Sequence, residues 1–375
     1  MKKILLISNR VMHYRVSIYN YFYRRFMEYG YEFIVRCNEL QQQNPHSLEF
    51  DFKEIDFKFR KYKKEIKAIN PDAVIIFLHL KNRMIWLLVH WLKWKRIPIV
   101  FWTKGLNLDA LDRKLSRVMY KYLHRISDRL ILYSKHEIQY VSLNNQHKIS
   151  IANNTINFDD FPKIVESKNE IKKEFGIPFE KVVLAVGRMG VDGGRKKIDH
   201  LIKVFREIKS PGVGLVIVGS GMSDEWLRQL NRENTVYLGE IHDPQNIQIS
   251  KIFRMADIFS LPGHVGLGLN QAFYWGLPVV TEEGLQPPEI NYLVQGRNGF
   301  IVPENNLDEL KKKLLFLIEN DETRREFSTN ARRDILEQAS TEIMFKGFKQ
   351  CIDSLDKLGT INRKAYDRDE KENRK

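Results

Sequence analysis

Two separate runs of strand–helix alternation, split by a polar stretch, set what this chain can fold into. The first begins at residues 3–8 (KILLIS), followed by a loop and a helix over about residues 16–29. Apolar runs at 31–36, 73–77, 97–102 and 129–133 then alternate with helical segments at 58–69, 82–95 and 111–126. Short continuous apolar runs between helices are the pattern of parallel strands buried on both faces. The stretch from Asn153 to Pro162 is rich in Asn and Asp and reads as a linker. The alternation restarts at 181–186 and continues through 214–218, 235–238, 257–261 and 277–280. A restart of this kind predicts two Rossmann-like α/β domains rather than one large sheet. Their expected spans are 1–162 and 163–341. A last helix at about 342–358 is expected to return to the first domain. Residues 359–375 are highly charged, almost without apolar side chains, and expected to be disordered.

Composition narrows the setting. The chain has 375 residues, 43% of them hydrophobic, enough for two cores. Cys37 and Cys351 are the only cysteines and show no metal-ligand spacing, which fits a reducing compartment. No apolar run approaches the roughly 18 residues that cross a bilayer. Met1-Lys2-Lys3 leads into a strand rather than a signal peptide, so the expected location is cytoplasmic. The net charge of +14 lies wholly in the first half: 29 Lys and Arg face 15 Asp and Glu through residue 165, and 32 of each follow. Such a face suits a polyanion or an anionic membrane surface. The helices at 58–69 (KFRKYKKEIKAI) and 82–95 (NRMIWLLVHWLKWK) place Trp86, Trp91 and Trp94 among Lys and Arg, as interfacial helices do. A nucleic-acid partner would explain this charge but none of the motifs below.

The chemistry concentrates between Asp257 and Val302. A strand there ends in Pro262-Gly263-His264, and Gly263, Gly266 and Gly268 crowd the turn into a helix over about 268–275. Glycine lets backbone N–H groups approach an anion, and a helix N-terminus adds a positive dipole end. Gln271 lies one turn into that helix, which Gly276-Leu277-Pro278 ends. Earlier, Gly187-Arg188 closes a strand, and Asp192-Gly193-Gly194-Arg195-Lys196-Lys197 precedes the next helix. Fixed cations beside glycines suit a leaving group that gains negative charge. In the first half, His13 and Arg15 follow the first strand, where open α/β sheets place ligands, and are the acceptor candidates. The only Asp-x-Asp, at 367–369, lies in the charged tail and suggests no metal site.

The second half resembles the retaining glycosyltransferases of family 4, with the GT-B architecture of two Rossmann-like domains facing a central cleft. Their pattern is roughly Ser-x-x-Glu-Gly-Phe-Gly-Leu-x-x-x-Glu-Ala, then Gly-x-Pro-Val. This chain keeps Ser260, Gly266, Leu267, Ala272, Gly276, Pro278 and Val279. Pro288-Glu289-Ile290 and Asn298-Gly299-Phe300 also look like the family. Gly263 and Gln271 replace its two glutamates. The resemblance implies that Arg188 and Lys196 grip the diphosphate of a nucleoside-diphosphate sugar, with Arg195 and Lys197 near enough to substitute for Lys196. It implies that Gly263, His264, Val265, Gly266 and Leu267 line the phosphates and sugar, Gln271 the ribose, and Gly239 the base. Lys104 stands where the family often has a donor-facing His. The implied activity is metal-independent, retaining sugar transfer without a cofactor. The implied acceptor is a glycan or lipid-linked glycan of surface polysaccharide synthesis, met at the inner membrane face. Two rivals share the fold: a non-catalytic nucleotide-sugar binder, suggested by the lost glutamates, and an epimerase, which would need acidic groups at the sugar.

Overall fold

The computed structural model describes residues 1–41, 46–107 and 113–357. The tail at 359–375 lies outside them. The chain forms two compact units, Met1–Asn154 with Thr341 onward, and Thr155–Ser340. The crossing at Asn154 precedes the end of the Asn/Asp-rich stretch at Pro162.

The first unit is built from β1 (Lys2–Val11), α1 (His13–Glu28), β2 (Tyr31–Leu40), β3 (Asp51–Glu54), α2 (Phe59–Ile69), β4 (Ala73–Phe77), α3 (Met84–Trp94), β5 (Ile99–Thr103), α4 (Lys114–Ile126), β6 (Arg129–Leu132), α5 (Leu143–Gln146) and β7 (Ile149–Ile151). Its sheet runs β3-β2-β1-β4-β5-β6-β7, all pairs parallel. Alternate residues of β1 enter opposite cores: Ile4 and Leu6 on one side, Leu5 and Ile7 on the other. That two-sided burial is why the strand reads as a continuous apolar run. The sequence pattern missed β3, a short edge strand whose DFKE leaves three of four residues exposed.

The second unit contains α6 (Lys168–Glu174), β8 (Lys181–Val186), α7 (Ile198–Glu207), β9 (Val213–Val218), α8 (Asp224–Gln229), β10 (Thr235–Gly239), α9 (Ile247–Met255), β11 (Ile258–Ser260), α10 (Leu267–Tyr274), β12 (Val279–Glu282), β13 (Gly299–Val302), α11 (Leu307–Glu319) and α12 (Asp321–Gln338). Its sheet is parallel in the order β10-β9-β8-β11-β12-β13. The order reverses at β8, which lies between β9 and β11. The crevice outside the carboxyl ends of such neighbours is where doubly wound sheets bind ligands. Gly187-Arg188 follows β8, and the glycine turn follows β11.

The last helix, α13 (Thr341–Lys357), completes the first unit. Phe345 and Phe348 are fully buried against α1 and the sheet. The ring of Phe345 lies 4.9 Å from that of Phe26, and Phe348 lies 4.9 Å from both Phe22 and Trp102. The first sheet therefore gets part of its core from sequence nearly 200 residues downstream. Truncating such a ring costs about 3–5 kcal/mol through lost burial and the cavity left behind. Phe348→Ala is expected to lower stability by that amount in urea unfolding, while exposed Lys346→Ala changes it by less than about 0.5 kcal/mol. A Phe348→Ala loss below about 1 kcal/mol would show that α13 is not part of this core.

Candidate active site

The site in the second unit starts where β8 and β9 end. Gly187 N–H donates to the Val218 carbonyl at 3.0 Å, and Met189 N–H to Ser220 at 2.8 Å. The two loops are thus tied together by backbone, and Arg188 between them points outward. Its side chain is exposed and meets no partner among the described residues. A guanidinium held on a fixed backbone with no carboxylate is free to take an anion.

A 3-10 turn over Val191–Lys196 follows and lies across the glycine turn after β11. Gly263 N–H donates to the Lys196 carbonyl at 3.0 Å, and His264 N–H to that of Arg195 at 2.7 Å. The backbones come so close that a Cβ on Gly263 would sit 2.0 Å from the Arg195 oxygen. No side chain fits there, which accounts for glycine where the resembling enzymes have glutamate. Lys196 then turns its amine back on the crossing and donates to the His264 and Val265 carbonyls. Burial lowers its pKa to about 8, and nearby Glu289 only partly offsets this.

Lys197 takes a different course. Its backbone is left-handed, with φ of 50°, and its amine pairs with Glu282 at 3.1 Å and Glu304 at 2.9 Å. Glu282 is fully buried and also meets His200 Nδ1 at 2.6 Å and the Asn305 N–H at 2.9 Å. Burial alone would push this carboxyl up, but these contacts outweigh it and hold it below the usual carboxylate range. Lys197 is therefore an anchor for the turn, and its engagement argues against its substituting for Lys196.

The backbone donors of the glycine turn divide in two. Gly263 and His264 give their N–H groups to the crossing, and Val265 N–H donates to Gln286 Oε1 at 3.2 Å. These three residues therefore do not offer N–H groups to a ligand. The N–H groups of Gly266, Leu267 and Gly268 meet no acceptor among the described residues. They open α10, with Gly266 in the left-handed region at φ 58° as its first flanking residue. Three open donors at a helix N-terminus make an anion seat. Lys196 is next to it: a Cβ on Gly266 would lie 3.7 Å from the Lys196 amine. Gln286, which the sequence reading did not single out, braces the turn from behind. Its amide donates to Gly263 O, Thr281 Oγ1 and Glu282 O at 2.9, 3.0 and 2.9 Å. Nothing local in the sequence marks it, because its role depends on the loop folding back onto the turn.

Gln271 lies half-buried on α10 with its amide unengaged among the described residues. Gly239, at the end of β10, accepts a hydrogen bond from Gly219 N–H at 2.7 Å and has open space above its Cα. The structure thus brings Arg188, Lys196, Gly266, Leu267 and Gln271 to one end of one sheet. Among the described residues, no group of three or more His, Cys, Asp or Glu side chains could hold a metal ion.

The first-unit candidates fare differently. Lys104 is half-buried after β5, with its amine 5.8 Å from the Tyr133 ring. His13 is exposed at the start of α1 and shares a hydrogen bond with Gln41 at 3.1 Å. Arg15 is buried, not available to a phosphate: it donates to Asn154 Oδ1 and stacks 5.0 Å from the Trp102 ring beneath Met344. Arg15 lies on the inward side of α1.

Comparison with known proteins places the chain beside glycosyltransferases. Residues 167–334 match the sequence model of the group 1 glycosyl transferases. The structure superposes on HepE of Anabaena, solved with UDP, with a TM-score of 0.75 at 14% identity, covering 95% of this chain and all of that one. The fold is GT-B. Among curated proteins, an uncharacterized glycosyltransferase of Haemophilus influenzae is 27% identical over 303 residues, 77% of each chain. The poly(ribitol-phosphate) alpha-N-acetylglucosaminyltransferase of Staphylococcus aureus is 26% identical over 225 residues, 58% of this chain and 43% of its own length. Together these matches support a GT-B glycosyltransferase.

The Lys196 amine gives the site a pH signature. With a pKa near 8 it is charged below pH 8 and loses its charge above. A bound phosphate raises that pKa, so binding is linked to protonation: affinity is full below about pH 8 and falls as pH rises through it. Nucleoside-diphosphate affinity measured from pH 6 to 10 is expected to be flat and then to decline, and Lys196→Ala to be weaker and to lack the decline. A wild-type profile level to pH 10 would remove Lys196 from the anion seat.

Proposed function

We propose that this GT-B glycosyltransferase transfers a sugar, with retention, from a nucleoside-diphosphate sugar to an acceptor hydroxyl. The acceptor we infer is a glycan or lipid-linked glycan of surface polysaccharide synthesis. The observation that carries the donor reading is the joint placement of exposed Arg188, the Lys196 amine and the open N–H groups of Gly266, Leu267 and Gly268. When the bond from the sugar to the diphosphate breaks, negative charge grows on the leaving oxygen. Donors and cations fixed in place stabilise that charge more in the transition state than in the bound substrate. In a retaining transfer the acceptor oxygen bonds to the anomeric carbon on the face the diphosphate leaves, and the departing phosphate oxygen can take the acceptor proton. On this account neither a metal ion nor an enzymatic base is required.

The remaining assignments follow from position. The Gln271 amide can donate to and accept from ribose hydroxyls, as a carboxylate would accept from both. Gly239 offers the open backbone against which a base would lie. His264 and Lys104 are assigned to the sugar, and His13 to the acceptor. That HepE was solved with UDP and with UDP-glucose makes uridine donors the first to try. The polyol-phosphate and capsular polysaccharide enzymes among the relatives favour a surface glycan acceptor. We place the enzyme at the inner face of the cell membrane, in line with its basic first half.

The test is a thermal-shift and hydrolysis screen against UDP-, GDP-, ADP- and dTDP-sugars. One donor is expected to raise the melting temperature and to be hydrolysed slowly. Arg188→Ala and Lys196→Ala are each expected to lower turnover roughly 10²–10³-fold, the usual loss when a leaving-charge stabiliser is removed. Binding without turnover, even with membrane extract as acceptor, would favour the non-catalytic binder that the lost glutamates suggest. No binding to any donor would overturn the site itself.

A further inference from the structure

α4 is poorly covered by its own unit. Of its 13 residues only Leu123 and His124 are buried. On its outer side Leu115 is 72% exposed, Val118 61% and Tyr122 40%. These are positions i, i+3 and i+7, one face of a helix. α3, beside it, turns Leu87 and Trp94 outward at 57% and 71% exposure, again seven residues apart. The two stripes meet at Tyr122, whose ring lies 6.1 Å from Trp86 and 5.8 Å from His90. His90 Nε2 is 2.7 Å from the Tyr122 hydroxyl oxygen, which ties the helices together at this point.

Within the two helices the charge has one sign, and Asp128, just beyond α4, is paired with Lys93 of α3. Neither α3 nor α4 contains an Asp or Glu. Arg83, Arg96, Arg113, Lys114 and Lys121 are exposed, and none has an ion-pair partner among the described residues. Contiguous exposed apolar side chains rimmed by charge mark an interaction surface. A second copy of this chain would bring two basic rims together, so self-association is opposed by charge. A helix face with large apolar and aromatic residues below Lys and Arg matches the boundary of an anionic bilayer.

We propose that the paired α3–α4 face docks on an anionic lipid surface. Leu87, Trp94, Leu115, Val118 and Tyr122 enter the headgroup–acyl boundary, and the surrounding cations lie at the level of the lipid phosphates. The sequence suggested the helices at 58–69 and 82–95 for such a role. The structure shifts it: Trp91 is buried, and α2 exposes Arg60, Lys61, Lys64 and Lys67 but no large apolar residue. α2 therefore adds charge, and α4 supplies the insertion. The inference rests on the proposed transferase for its purpose, since it names the surface on which a lipid-linked acceptor would be met.

Flotation with phosphatidylcholine vesicles, with and without phosphatidylglycerol, tests it. The wild type is expected to float with the anionic vesicles only. Lys114→Gln with Lys121→Gln should lower that partition roughly 30-fold, at about fivefold per cation near the surface. Leu115→Asp with Val118→Asp should abolish it while leaving the melting temperature and donor hydrolysis in solution unchanged. Equal flotation with neutral vesicles, no flotation of the wild type, or variants that float as it does would each overturn the proposal. Flotation without donor hydrolysis would instead count against the transferase reading alone.

Discussion

The candidate site depends on one close contact: the backbone of Arg195 and Lys196 lying across Gly263. It sets three things at once. It consumes the first two N–H groups of the turn after β11. It places the Lys196 amine against the His264 and Val265 carbonyls, half-buried and with a lowered pKa. It leaves Gly266, Leu267 and Gly268 as the open donors at the start of α10. Any side chain at Gly263 would collide with the Arg195 carbonyl and separate the two loops. Glycine at 263, where the resembling enzymes have glutamate, therefore follows from this chain's own backbone path, in which Arg195 and Lys196 occupy the space a side chain would need.

Around the crossing, the fold supplies anchors on both sides. Lys197 and Glu282, with His200 and the Asn305 N–H, fix the far end of the turn in a nearly buried ion-pair cluster. Gln286 fixes the near end through bonds to three oxygens. Such clusters matter less for net stability than for holding a geometry, because breaking one partner leaves a buried charge uncompensated. Neighbouring lysines thus divide the work: Lys197 is spent on structure, and Lys196 is left with only carbonyl partners. Carbonyls satisfy the amine's donors but do not neutralise its charge, so an incoming phosphate still gains.

Much of this was legible in the sequence, for physical reasons. Doubly buried parallel strands read as apolar runs, and a restart after a polar linker reads as a second sheet. Glycines between a strand and a helix mark a close backbone approach. What the sequence could not give was direction. Arg15 and His13 share one loop, yet Arg15 faces inward onto Trp102 and His13 faces out. Lys196 and Lys197 are adjacent, yet a left-handed residue between turn and helix sends their amines to different partners. Gln286 and the exposed stripe of α4 were missed because each is defined by neighbours distant in sequence or by what fails to cover it.

The central claim is that Lys196 and the start of α10 seat the leaving phosphate rather than the phosphate next to the ribose. Calorimetric titration of UDP against UMP at pH 7, in the wild type and in Lys196→Met, addresses it directly. The account predicts that the wild type binds UDP at least tenfold more tightly than UMP, the usual worth of one charge-assisted contact. It predicts that Lys196→Met loses most of that difference while UMP affinity barely changes. Equal affinities for the two nucleotides in the wild type, or a difference that Lys196→Met leaves intact, would contradict it.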